Sequence, residues 1–224
     1  MKFFELFFAE TFLKMKKTLW FCMAFLSILI SLYAIIYLVM GLQFGIEGTK
    51  SEALLSNIFY RVGFYTHIIF AALALLVGWV QFSSRIRNGN LRLHRAVGKL
   101  YIIASLLGAM GGTYIGFFST GGLVPAAGFV SLGIIWFCST LMGYLTIMDK
   151  KIAQHQRMMI YSYACCFAGV TLRTYQLFLI MYFGDFISAY KIVAWLCWVP
   201  NVVVASLIIR LIERESPRTN AVMG

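Results

Sequence analysis

Uncharged apolar runs long enough to cross a bilayer recur along this chain; about 20 residues suffice for a hydrocarbon core of roughly 30 Å. Residues 18–46 and 62–84 each hold one crossing. The run 100–148 is too long for one helix, and Ser119-Thr120-Gly121-Gly122 with Pro125 supplies a turn at its middle. A fifth run is interrupted only by Arg173, and a sixth follows near the C-terminus. The pattern predicts an all-α, polytopic membrane protein with six transmembrane helices, over about 18–43, 61–83, 96–118, 126–147, 157–182 and 189–210. Barrel strands would alternate apolar and polar residues, whereas these runs are apolar on every face.

Before the first span, Phe3, Phe4, Phe7, Phe8 and Phe12 recur at helical spacing among Lys2, Glu5, Glu10 and Lys14. Residues 1–17 are therefore expected to form a short amphipathic interfacial helix. The first span is much longer than the 7–15 apolar residues of a signal peptide and lacks a small-residue cleavage pattern, so it should remain as an anchor. The expected division is an interfacial segment 1–17, a transmembrane domain 18–211 and a cytoplasmic tail 212–224.

Composition agrees with this pattern. The chain is 61% hydrophobic and 12% charged, against about 45–50% and 25% in soluble domains. Too few polar groups remain to cover a globule in water, which argues against a soluble enzyme, a disordered chain or a disulfide scaffold. The net charge of +11 would suggest nucleic acid in a soluble protein. Here the basic residues cluster between apolar runs, which fits membrane orientation and anionic headgroups instead, and no nucleic-acid partner is expected. With the N-terminus inside, fifteen lysines and arginines fall in cytoplasmic segments and three (Lys50, Arg61, Lys191) outside. Both termini are thus expected inside, in the bacterial cytoplasmic (inner) membrane. The five cysteines, Cys22, Cys138, Cys165, Cys166 and Cys197, all fall within predicted spans without metal-finger spacing and read as small packing residues.

Polar groups inside a bilayer are costly and mark function. All eight carboxylates lie outside the predicted spans, which weakens the case for a proton-coupled transporter. Two polar clusters remain. In the first, His67 and Arg173 fall at similar depth when counted from Arg61 and Arg157, with Tyr65, Thr66, Thr171, Tyr175, Gln176 or backbone carbonyls as candidate partners of Arg173. This cluster suits an anionic headgroup or a quinone carbonyl. In the second, His94-Arg95 opens the third span and His155-Gln156-Arg157 the fifth, with Gln81 nearby in sequence. Two histidines at one depth are candidate ligands for a metal or one haem b, and Arg95 and Arg157 are candidate contacts for lipid phosphate. The spacing of these motifs makes the second-third and fourth-fifth spans look like parallel halves.

At these motifs the chain resembles a bacterial group of predicted membrane proteins classed as domain of unknown function 2306. The resemblance rests on His67, Gly78, Gln81-Phe82, Arg85, His94-Arg95, Gly98, Tyr101, His155, Arg157, Met158, Ser162-Tyr163 and Arg173, over about residues 60–180. This chain has His155-Gln156 and Met158-Met159 where such proteins usually carry His-Arg and tryptophan-methionine. The resemblance implies a membrane protein and singles out these histidines and arginines without assigning them an activity. The reading that follows is a non-catalytic membrane protein binding a lipid, small ligand or partner through its His/Arg clusters. The alternatives are a redox protein holding one haem or metal on His94 and His155, and a small-solute transporter with a cavity near Gln81, Tyr65 or Arg173.

Overall fold

The computed structural model describes the backbone of residues 2–41 and 50–222 and the side chains of residues 17–41 and 50–214. Among the described residues the chain is helical, without strands: α1 (Lys2–Met40), α2 (Glu52–Ser56), α3 (Ile58–Gly78), α4 (Ser84–Gly89), α5 (Leu91–Gly116), α6 (Leu123–Met148), α7 (Ile152–Cys166), α8 (Ala168–Phe183), α9 (Phe186–Leu196) and α10 (Val199–Val222). A 3-10 turn, Trp79–Phe82, prolongs α3. Six stretches are long and apolar enough to span a membrane: Lys17–Met40, Ile58–Phe82, Leu91–Gly116, Leu123–Met148, Ile152–Phe183 and Phe186–Arg214. They match the six expected crossings. The amphipathic face expected over 1–17 lies outside the residues whose side chains are described.

Local sequence sets the boundaries. Asn57, Asn90 and Asp185 accept hydrogen bonds from the first free amides of α3, α5 and α9, which have no partner within their own helices. Between α5 and α6 the chain turns through Gly121 and Gly122 at φ 98° and 92°, a region where a side chain would be strained. Pro125 follows in the first turn of α6, where its missing N–H costs nothing. The basic loops after α3 and α6 share one end of the bundle, here called the basic end.

The bundle is built on two tightly packed antiparallel pairs, α3 with α5 and α6 with α7, joined by α5 against α6. Glycines set the first pair's spacing. A methyl on Gly111 would lie 2.7 Å from the Gly63 carbonyl oxygen and 2.8 Å from the His67 amide nitrogen. One on Gly108 would lie 3.0 Å from the Ala71 nitrogen. Dispersion over such close backbones is a principal attraction between helices in lipid. Nearer the basic end, Tyr101 and Tyr163 pack their rings onto Gly78. Ser162 bonds the Tyr101 hydroxyl at 2.8 Å and Thr140 Oγ1 at 2.7 Å, while Tyr163 meets Ser27 Oγ at 2.8 Å. These buried hydroxyls tie α5, α6 and α7 together, and α7 to α1.

The last two spans differ from the continuous helices the sequence suggests. The fifth breaks at Phe167 and the sixth at Cys197–Trp198. Pro200 explains the second break, because it has no N–H and its ring clashes with the carbonyl four residues earlier. Asn201 stitches the two breaks together. Its Nδ2 donates to the Ala164 carbonyl at 3.2 Å and the Cys197 carbonyl at 3.0 Å, and lies 3.1 Å from Thr171 Oγ1. Thr171 Oγ1 itself donates to the Cys197 carbonyl. Irregular backbone at membrane depth survives only when its polar groups are bonded inside the protein, and these bonds serve that end.

Candidate functional site

A cavity of about 250 Å³ lies inside the bundle. Its lining runs from Lys50, Tyr60 and Ser119, at the end away from the basic loops, down to Leu75 and Trp136. Along α3 the step from Tyr60 to Leu75 is about 22 Å at 1.5 Å per residue, so the cavity passes the middle of a bilayer. Helices α1, α3, α5, α6, α7, α8 and α9 all contribute to the wall.

His67 and Arg173 both line this cavity. His67 Nδ1 lies 2.8 Å from the Gly108 carbonyl oxygen. That oxygen only accepts, so Nδ1 carries the proton and donates, and Nε2 is left for another partner. A methyl on Gly112 would lie 2.7 Å from His67 Nδ1; the glycine makes room for the ring. Arg173 turns back along α8, where Nη1 donates to the Gly169 carbonyl at 2.9 Å. Its guanidinium sits 4.9 Å from the centroid of the Tyr33 ring, a cation–π contact.

The two residues lie within electrostatic reach of each other, but each has its own hydrogen-bond partner. Of the candidate acceptors it is a backbone carbonyl, that of Gly169, that takes the Arg173 hydrogen bond, and not Thr171, Tyr175, Gln176, Tyr65 or Thr66. In a helix Cβ tilts toward the N-terminus, which carries the side chain to the carbonyl one turn back. Tyr65 and Thr66 instead line, with Arg61, a separate groove of about 420 Å³ along α3. Among the described residues no carboxylate pairs with Arg173, and none lines the cavity. Lys50 adds a second cation, donating to the Phe118 carbonyl and lying 5.8 Å from the Tyr60 ring centroid. Among the described residues, then, the Arg173 cation on this wall has no anionic side chain to balance it.

At the basic end, His94 lies in the first turn of α5 and His155 in the first turn of α7, level with each other as expected. His155 Nδ1 donates to the Gly143 carbonyl at 2.7 Å. His94 Nδ1 is buried with no hydrogen-bond partner among the described residues, and Arg87, His155 and Arg95 all lie within its electrostatic reach. Gln81 Nε2 is likewise buried and unbonded, its Oε1 packed where Gly98 leaves space. Arg95 is exposed, and Arg157 Nε pairs with Glu213 at 2.6 Å, tying the start of α7 to α10. Among the described residues no group of three or more His, Cys, Asp or Glu side chains is placed to hold a metal ion.

Sequence reasoning missed Tyr33, Lys50 and Asn201. A Tyr33–Tyr37 pair one turn apart and an asparagine after the lone proline of an apolar run were the available signals. Residues 64–209 match the family described as "Predicted membrane protein (DUF2306)". No curated protein and no solved structure gives a significant match.

Proposed function

The chain belongs to the DUF2306 family of predicted membrane proteins, and from that premise we propose that it is a non-catalytic, multi-pass protein of the bacterial cytoplasmic membrane that binds a small anionic ligand through Arg173 and His67. One observation carries the reading: the central cavity is lined by Arg173 and His67 and, among the described residues, by no carboxylate. A charge inside a bilayer is expensive unless it is neutralised, and a bound anion neutralises it. The same chamber, at mid-depth beside Arg173, is what a small-solute transporter requires. The distribution of basic residues supports a cytoplasmic basic end, where Arg95 is available to anionic lipid.

The test uses the purified chain in lipid nanodiscs, with sodium benzenesulfonate as a probe monoanion and thermal unfolding as the readout. A ligand at one hundred times its Kd stabilises the folded state by about 2.7 kcal/mol. The wild type should gain stability with rising benzenesulfonate, Arg173→Lys should gain less, and Arg173→Gln should gain nothing. Equal gains in wild type and Arg173→Gln would sink the reading.

A redox reading, with one haem b or metal ion on His94 and His155 exchanging electrons with a quinone, draws on the anchoring of His155. A ring whose Nδ1–H is held by a carbonyl presents Nε2 in the way metal-bound histidines usually do. This reading expects a Soret band that shifts on dithionite reduction and vanishes in His94→Ala. A colourless, metal-free preparation from haem-replete cells removes it.

A further inference from the structure

The wall of the central cavity changes character along its length. Around and above His67 the cations and hydroxyls gather, among them Arg173, Lys50, Tyr33, Tyr37 and Ser119, interleaved with apolar Phe64, Ile115 and Phe129. Below His67 the lining is apolar: Ile68, Ala71, Leu75, Ala109, Leu132 and Trp136. From His67 to Leu75 the helix rises about 12 Å. The cavity volume of about 250 Å³ equals the liquid volume of roughly eight waters at about 30 Å³ each. A ligand filling it therefore has on the order of eight to ten non-hydrogen atoms, a charged group at one end and an apolar body at the other.

The cations select the head. Arg173 already spends Nη1 on Gly169, and Lys50 is engaged with the Phe118 carbonyl. The remaining guanidinium edge matches a planar monoanion, and a carboxylate fits that fork. A neutral quinone would leave Arg173 uncompensated, and a second carboxylate at the far end of the ligand would be buried against the apolar lower wall. His67 Nε2 lies at the same level, on a ring fixed by Gly108. The lower wall selects the tail: an apolar lining along about 12 Å of helix rise accepts a hydrocarbon chain.

We infer that the cavity is a binding site for a medium-chain monocarboxylate, its carboxylate on Arg173 and its alkyl chain directed toward Leu75 and Trp136. This inference rests on the anion-binding reading above and names the ligand class of the same site.

The experiment is calorimetric titration of the full chain in nanodiscs with the sodium salts of acetate, butanoate, hexanoate, octanoate and dodecanoate, with empty nanodiscs as blank. Burial of each added methylene should tighten binding roughly fourfold, until the chamber is full near eight carbons. Dodecanoate should gain nothing further over octanoate. Octylammonium and octanedioate should bind at least tenfold more weakly than octanoate, and Arg173→Gln should lose at least tenfold for octanoate. Ala109→Val, which narrows the lower wall, should weaken octanoate while leaving acetate unchanged. A flat chain-length series, or octylammonium binding as tightly as octanoate, overturns the inference. If benzenesulfonate still stabilises the wild type through Arg173, the anion reading survives that failure; silence from both probes overturns both.

Discussion

Gly111→Ala should lower the stability of the folded bundle by about 1–3 kcal/mol, the usual cost of overpacking a tight interior. Gly111→Leu should fail to give a monodisperse protein at all. The reason is what the new side chain would meet. A Cβ at Gly111 falls 2.7 Å from the Gly63 carbonyl oxygen, 2.8 Å from the His67 amide nitrogen and 3.2 Å from the His67 Cα. All three are backbone atoms of α3, so no rotamer change relieves the clash and the two helices must part. Parting them also displaces His67 from Gly108, so ligand-induced stabilisation should fall together with intrinsic stability. Gly89 is the control: a Cβ there meets nothing within 4 Å, and Gly89→Ala should unfold like the wild type. Reversible unfolding in mixed micelles measures all three variants. A Gly111→Ala protein as stable as wild type would show that α3 and α5 are not held at this spacing.

Asn201→Asp should be more damaging than Asn201→Leu, an inversion of what size alone dictates. Leucine removes the donor to the Ala164 carbonyl and leaves that oxygen unsatisfied, at a cost of about 1–3 kcal/mol. The Cys197 carbonyl keeps the hydroxyl of Thr171. Aspartate retains the shape of asparagine but presents oxygens where the Ala164 and Cys197 carbonyls require a donor. It also adds a charge at membrane depth, for a total loss of several kcal/mol. Combining Asn201→Leu with Thr171→Val should cost more than the sum of the two, since the Cys197 carbonyl then loses both side-chain donors. Unfolding of the four proteins under one condition decides it; an aspartate variant as stable as the leucine one refutes the donor assignment.

The six crossings were legible in the sequence because a bilayer imposes one requirement on every spanning segment. It demands about 20 apolar residues with all backbone groups bonded within the helix. The turn at Gly121-Gly122 was legible because two adjacent glycines before a proline have few other uses. Depth was legible as well: counting residues from Arg61 and Arg157 put His67 and Arg173 at similar depth, and the helix starts put His94 level with His155. Rotation about each helix axis was not. Tyr65 lies two residues from His67, yet falls on a different face of α3 and lines a different groove. Side chains on two helices and backbone carbonyls were all open to Arg173, and only the packing shows that it takes the Gly169 carbonyl of its own helix. The serine and threonine network around Ser162 was illegible because small hydroxyls are common in apolar spans, and only packing tells which of them meet. The broken helices left a single visible mark, Pro200, and the residue that repairs them stands immediately after it.

The balance of charge on the chamber wall has an electrical consequence. A sodium or potassium ion entering it would shed hydration water and find the fixed charge of Arg173 and, among the described residues, no carboxylate to replace that water. A hydronium ion would meet the same barrier. Membrane-spanning passages that repel cations in this way do not leak sodium, potassium or protons. A cell could therefore carry many copies of this bundle, each hollow through more than half its thickness, without losing its cation gradients through them.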